Sequence, residues 1–382
     1  MRFPPDLDPE FFSAELWNRS FEAKVAADSG SSEIAIALTR PDGTVFRHLA
    51  RVLPHVGENV ELNLRFVERI VKLLLWTRGG SRLVIGGHDA LADEINRRYR
   101  PEGERAFDCD LVTRRSYLDS MQVSSCALDE VPEERTSSVP LGGNLEGCRI
   151  GFDLGGSDRK CAAVIDGEVV HSEEVEWQPY FESDPRYHYE GILDSLRRAA
   201  AHLPRVDGIG GSAAGVYVDN QPRVGSLFRG VSEADFDSEI RPIFARLRAA
   251  MGDVPFEVVN DGEVTALAAT LSLGARAPLG IAMGTSLASG YCGPEGHLTD
   301  QLNELAFVPV DYRENGPVDE WSGDRGCGVQ YFSQQAVARL APGAEIDLPD
   351  EMPLAERLIQ VQSLMEKGDD RARRIYSTIG SY

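Results

Sequence analysis

Hydrophobic and small or polar positions alternate through "CRIGFDL" (148–154), with Ile150, Phe152 and Leu154 on one face and Gly151 and Asp153 on the other. That period of two predicts a strand covered on one side. It runs into Gly155, Gly156 and Ser157, followed by Asp158, Arg159 and Lys160. Glycines there suit a tight turn whose consecutive N–H groups approach a partner closely, with a plain hairpin turn as the alternative. Upstream, "SEIAIALTRPDGTVFRHLARVL" predicts two strands joined at Asp42-Gly43, and "NLRFVERIVKLLLWTRGG" a helix with a Gly-Gly stop. A strand, "SRLVIGG", and a helix, "ALADEINRRYR", follow. After Asp158 come a second strand, a turn at Asp166-Gly167, a third strand, and the amphipathic helix "HYEGILDSLRRAAAHL". "VDGIGGSAAGVYVD" is a strand entering a glycine-rich loop, "PFEVVND" a strand, and "GEVTALAATLSLGA" a small-residue helix. "LGIAMGTSLASGYC" reads as two strands around Gly284-Thr285-Ser286, and the chain beyond Cys327 as helices. Alternating strands and helices predict an α/β fold with mixed sheets.

The 382 residues suffice for two or three domains at ~150 residues each. Residues 1–30 read as an arm, 31–125 as an N-terminal α/β domain, and 126–146, acidic and aperiodic, as a linker. Residues 147–260 then form a first lobe and 261–382 a second. The order hairpin, helix, strand with Gly-Gly occurs on both sides of the linker, so the N-terminal domain reads as a degenerate repeat. Only the second copy carries Asp-x-Gly-Gly.

A hydrophobic content of 42% and a charged content of 26% are those of a soluble globular chain. The net charge of −22, with no basic stretch, argues against nucleic acid and anionic membranes as partners. Six cysteines without a Cys-x-x-Cys pair read as reduced thiols of a cytoplasmic protein. Neither a secretory signal nor an apolar run of ~18 residues is present in the sequence.

Three elements stand in order: Asp153-x-Gly155-Gly156-Ser157, Asn260-Asp261, and Gly284-Thr285-Ser286. The set is similar to the actin-like ATPase (ribonuclease H-like) and sugar-kinase superfamily. Its finer texture ("IGFDLGGS", "GIGGSAAGVYVD", "VVNDGEVTALA", "GIAMGTSLASG", "LNELAF") resembles the ROK family over residues 148–330, roughly half of the chain. The resemblance implies a two-lobe fold with mixed sheets, preceded here by the N-terminal extension. It further implies ATP-dependent phosphorylation of a sugar hydroxyl, as by a glucokinase-like hexose kinase. Asp153 would hold Mg²⁺ through water, and Gly155, Gly156, Ser157, Gly284, Thr285 and Ser286 would bind the phosphates. Asp261 would be the general base, with Gly215, Asn260 and Glu304 around the sugar. Each has a plainer alternative: Asp261 as a helix cap, the Gly-Thr-Ser element as a hairpin turn, Gly215 and Glu304 as ordinary loop residues. A homodimer is left open.

The chain departs from the family pattern. Phe307 stands where the family's Glu-x-Gly-His element has histidine, and "WSGDRGC" keeps only Cys327 of the zinc cysteines, so no zinc site is expected. Trp321 and Asp324 are expected to rebuild that loop by packing and hydrogen bonding, and His297 to be a surface residue. Arg159 and Lys160 read as solvated charges, with phosphate contact as the alternative. The sequence stops within a helix, "YSTIGSY", where family kinases continue into a strand and a Gly-Gly turn at the adenosine. Either the sequence is a fragment or another segment does that job; residues 65–97, whose order is helix, strand, Gly86-Gly87, helix, resemble the missing piece. Other functions in view are a sugar-sensing repressor and a non-catalytic sugar-binding protein.

Overall fold

The computed structural model describes residues 4–136 and 143–382. The chain divides into two compact bodies: residues 1–137, 282–288 and 301–382 in the first, and 138–281 and 289–300 in the second. The division therefore falls elsewhere than a simple split at 126–146 and 260/261. Residues 137–142 of the expected linker lie outside the described residues.

The first body opens with helix α1 (Ala14–Ala27), capped by the Ser13 side chain, which accepts from the Leu16 N–H. Residues 1–30 are thus more than a loose arm. The ring of Phe21 stacks on Trp17 at 5.5 Å and on Phe66 at 4.3 Å, and this aromatic contact seats a helix of low amphipathy. Strands β1 (Ser32–Thr39) and β2 (Val45–Val52) form the expected hairpin. Helix α2 (Asn59–Arg78), strand β3 (Arg82–Gly86), helix α3 (Asp89–Arg98) and strand β4 (Gln122–Cys126) follow. The sheet order is β2-β1-β3-β4, and residues 34–38 of β1 are fully buried. The supposed linker belongs to this body. Val131 packs with Ala35, Ala37 and Val45, and Arg135 bridges to Val45.

The second body holds β5 (Cys148–Leu154), β6 (Asp158–Ile165) and β7 (Glu168–Glu176), an antiparallel meander. Helix α4 (Pro185–Ala200), capped by Asp184 with Pro185 at its first position, leads to β8 (Gly208–Ala213), parallel to β5. The short strands β9 (Val216–Val218) and β10 (Gln221–Val224) pair with each other as a separate ribbon, and after helix α5 (Ile243–Ala250) strand β11 (Phe256–Val259) completes a five-stranded sheet of order β11-β8-β5-β6-β7. Ile150, Phe152 and Leu154 pack with Ile192, Leu196, Phe244 and Leu247 in one core. The alternation that predicted β5 thus buries one face and leaves Gly151 and Asp153 on the other. The mixed α/β sheet implied by the resemblance is present.

The two blocks nevertheless differ in topology. In the first, β3 runs antiparallel to β1; in the second, β8 runs parallel to β5. In both, the strand after the helix is parallel to the strand before it. The second block has one more strand in its meander, which reverses the chain once more. Order along the chain recurs, strand direction does not.

Helix α6 (Asp261–Leu273) packs onto β13 (Leu287–Tyr291), the partner of β12 (Leu279–Met283). A Cβ at Gly262 would lie 2.3 Å from the Ser289 backbone, and one at Gly290 2.2 Å from Cα of Glu263. Helix propensity alone favours Gly262→Ala by roughly 1 kcal/mol. The clash is with backbone, which does not yield, so the variant is expected to be destabilised by about 1–3 kcal/mol; denaturant unfolding checks the sign. The first body closes with α7 (Gln334–Leu340), α8 (Leu354–Glu366) and α9 (Asp370–Ile379), packed through Val337, Leu340, Val361 and Ile375.

Candidate active site

Seven of the expected positions, Asp153, Gly155, Gly156, Ser157, Gly215, Asn260 and Asp261, belong to the second body. The turn Gly155–Ser157 joins β5 to β6, closed by a hydrogen bond from the Gly155 N–H to the Asp158 carbonyl (3.0 Å). Asp153, on the uncovered face of β5, accepts from the Ser212 hydroxyl at 2.5 Å, and its other oxygen lies 3.9 Å from Lys160 Nζ. Ser212 sits opposite Asp153 in the parallel pairing of β5 and β8. Lys160 is committed to Asp158 at 2.6 Å. Arg159 is neither a solvated charge nor a phosphate contact: it points to the covered face, is buried, and donates to Ser195 of α4. Adjacent strand positions face opposite ways, which places Lys160 beside Asp153 and Arg159 away from it.

At the N-terminus of α6 the cap is Asn260, not Asp261. The Asn260 Oδ1 accepts from the Gly262 N–H (2.8 Å), its Nδ2 donates to the Gly215 carbonyl (2.8 Å), and the Glu263 carboxylate accepts from the Asn260 N–H (3.0 Å). This reciprocal arrangement satisfies orphan N–H groups of the helix. Gly215 has φ +131°, and a Cβ there would lie 2.3 Å from the Val224 carbonyl oxygen, so that position needs glycine. The capping alternative for Asp261 is thereby removed, because its neighbour holds the cap.

The Asp261 carboxyl is largely buried, and its Oδ1 has no hydrogen-bond partner. Burial, with the nearby charge of Asp153 adding to it, pushes its pKa up to about 6. Tyr217 is raised by burial and by Asp261. Glu263, buried and facing Asp300, is pushed up to about 7. A desolvated carboxylate near neutrality, with an unused oxygen, is poised to take a proton. Ser212 and Tyr217 escaped the sequence reading. Both lie in the stretch "GIGGSAAGVYVD", of which only Gly215 was singled out, and strand pairing brings Ser212 to Asp153.

Asp153 fits a hydrated Mg²⁺ in its chemistry: it is one partly exposed carboxylate on an uncovered sheet face, with one oxygen oriented by Ser212.

The other expected positions belong to the first body. The Gly284 N–H bonds the Ser286 carbonyl, the Gly284 carbonyl accepts from Gln334 at the start of α7, and Gly284, Thr285 and Ser286 are exposed. Glu304 is half-buried, and its N–H donates to the Trp76 carbonyl at the end of α2 (2.9 Å). Phe307 is buried against the rings of Trp76 (4.3 Å) and Phe107 (5.3 Å). The Gly86-Gly87 turn is filled by its own chain. A Cβ at Gly86 would lie 2.0 Å from Val131, and one at Gly87 2.7 Å from the Glu33 carbonyl, which is no open cradle for adenosine. His297 is half-exposed.

The loop around Cys327 is rebuilt in part as expected. Asp324 binds Arg69 at 2.9 Å, Arg105 at 2.9 Å and Lys72 at 3.1 Å. Lys72 also binds Asp108 at 2.8 Å, and Glu68 accepts from Arg105 at 2.6 Å and Arg69 at 2.7 Å. Cys327 is fully buried beside this network, and burial pushes its thiol up to about 12. Trp321, expected to pack in the loop, is 69% exposed. Among the described residues no group of three or more His, Cys, Asp or Glu is arranged to hold a metal ion.

No protein-family model and no curated protein matches the chain. Among solved structures it is similar to a ROK hexokinase from Thermus thermophilus, at 19% identity and a TM-score of 0.44, covering 60% of this chain and 72% of that one. It is similar to a ROK family glucokinase from Streptomyces griseus in complex with glucose and AMPPNP (20%, 0.43, 61% and 75%). It is also similar to a ROK family transcriptional regulator, a homologue of the E. coli MLC protein (18%, 0.42, 62% and 70%). These three neighbours are ROK-family proteins. They include both sugar kinases and a regulator.

Proposed function

We propose that this chain is an ATP-dependent sugar kinase of the ROK type, with Asp261 as the general base. The observation that carries the reading is the Asp261 carboxyl: buried, unpartnered at Oδ1, raised to about 6, and close enough to Asp153 to feel its charge. Phosphoryl transfer needs positioning, charge neutralisation and a base for the attacking hydroxyl. ATP with Mg²⁺ supplies the phosphoryl group and charge neutralisation. Asp153, oriented by Ser212, is the residue to hold the hydrated metal ion. The N–H groups of Gly156 and Ser157 face the phosphates. Asp261 takes the proton of the sugar hydroxyl on Oδ1. Asn260 and Gly215 hold the start of α6 and so fix where that oxygen stands.

The six cysteines are free thiols, in keeping with a reducing compartment, and among the described residues no helix is long and apolar enough to cross a membrane. A cytoplasmic location is proposed on that basis.

A second reading, a sugar-binding regulator without turnover, is favoured by Phe307, which fills a core site on Trp76 where kinases of the family carry a polar histidine. A thermal-shift screen of hexoses and amino sugars, followed by coupled ADP-release kinetics, separates the two. A kinase raises ADP release on addition of one sugar class; a sensor is stabilised by sugar while ADP release stays at its background.

A further inference from the structure

Beside the Gly155–Ser157 turn stands a side chain that the kinase reading does not use. A Cβ at Gly156 would lie 2.2 Å from the Tyr180 hydroxyl, so that glycine is the seat of the Tyr180 ring. The Arg229 guanidinium covers the same ring, 4.1 Å from its centroid, and lies 5.9 Å from the ring of Phe181. Tyr180 is the spacer that holds Arg229 one ring's width from the turn. The segment is fixed from the other side by Gly230, where a Cβ would meet the Glu182 carbonyl at 2.6 Å.

Two features distinguish this arginine from those tied into ion pairs: free donors and a ring that orients it. Arg69, Arg105, Arg186 and Arg313 are each held by a carboxylate. Among the described residues Arg229 has no ion pair and no side-chain hydrogen bond, in a chain of net charge −22. Its exposed guanidinium keeps all its donors and is oriented by stacking, which cuts the freedom lost on binding. The N–H groups of Gly156 and Ser157 likewise have no acceptor among the described residues. Two free backbone N–H groups and a pre-oriented guanidinium around one ring make an anion cradle.

We propose that Arg229, stacked on Tyr180, closes the Gly156–Ser157 turn into a site for a phosphate oxyanion. The inference rests on reading that turn as a phosphate turn, and adds a cationic binding residue to it. Either the polyphosphate tail of the nucleotide or a single phosphoryl group on an anionic acceptor has the required chemistry.

The test is isothermal titration of inorganic tripolyphosphate, and separately of inorganic phosphate, into the full chain. Wild type is compared with Arg229→Gln, Arg229→Lys, and Arg186→Gln as a control at another exposed arginine. Arg229→Gln is expected to weaken tripolyphosphate about tenfold or more, since charge-assisted hydrogen bonds are lost. Arg229→Lys falls between the two because it keeps charge without the planar stack, and Arg186→Gln stays within about twofold. Loss confined to tripolyphosphate assigns the cradle to the nucleotide tail; loss for inorganic phosphate as well assigns it to a single phosphoryl group. Equal binding by wild type and Arg229→Gln overturns the proposal, as does the absence of binding of either probe to wild type. Neither probe is turned over, so this outcome is independent of whether any sugar is phosphorylated.

Discussion

Replacing Asp261 by asparagine is expected to lower sugar-dependent turnover by about 10²–10⁴-fold, the usual worth of a positioned general base, while making the protein more stable at neutral pH. Both effects have one origin. The folded carboxyl has a pKa of about 6 against 3.8 in the unfolded chain, so the native state binds its proton more tightly. The associated stability is fully present below about pH 4, and is lost as pH rises through 6. Above that, the ionised carboxylate costs the fold up to about 3 kcal/mol, as an order of magnitude. Asparagine removes the ionisation. Its gain in stability therefore appears above pH 6 and vanishes toward pH 4, as urea unfolding at the two pH values checks. Wild-type kcat/KM falls below pH 6, where the base becomes protonated. Loss of activity with loss of stability would instead mark Asp261 as a structural residue.

The second large effect is expected in the first body, at Lys72→Met. Lys72 is fully buried between Asp108 and Asp324, within a network of three cations and three carboxylates that also includes Arg69, Arg105 and Glu68. Burial opposes the lysine charge, but the two aspartates more than offset it and hold its pKa above the ordinary range. Asp108, 2% exposed, would retain only the Trp76 indole N–H at 2.8 Å. An uncompensated buried charge costs about 3–5 kcal/mol, and the loss is read as a fall in the urea midpoint. Lys72→Met combined with Asp108→Asn leaves an acceptor for Trp76 and no orphan charge, and should recover most of it. If the single and double variants are equally unstable, the network is not what holds the 319–327 loop to α2.

Why was the network invisible in the sequence? Its members come from residues 68–108 and from 324, with no spacing that a single element would impose. A cysteine-poor loop announced that zinc ligands were missing, and Asp324 was within reach of attention, but its cations lie on α2 and just after α3. The strands were legible because alternation in β5 and the Asp42-Gly43 turn obey local rules. Helix α1 was not, since its place is set by the rings of Trp17, Phe21 and Phe66 rather than by a broad apolar stripe. Residues 126–136 read as a linker by composition, yet Val131 fills the space over Gly86. At the site, Asp153, the glycine turn and Asp261 could be read from ordered motifs. Ser212, Tyr217 and Arg229 could not, because their roles arise from strand pairing, burial and ring stacking.

The central claim is phosphoryl transfer to a sugar hydroxyl, and its most direct measurement follows the product. Phosphorus NMR of ATP, Mg²⁺ and a panel of hexoses and amino sugars is predicted to show a sugar-phosphate resonance growing with wild-type protein, and none above background with Asp261→Asn. ATP binding without a sugar phosphate from any member of the panel, or product formation by Asp261→Asn at the wild-type rate, would contradict it.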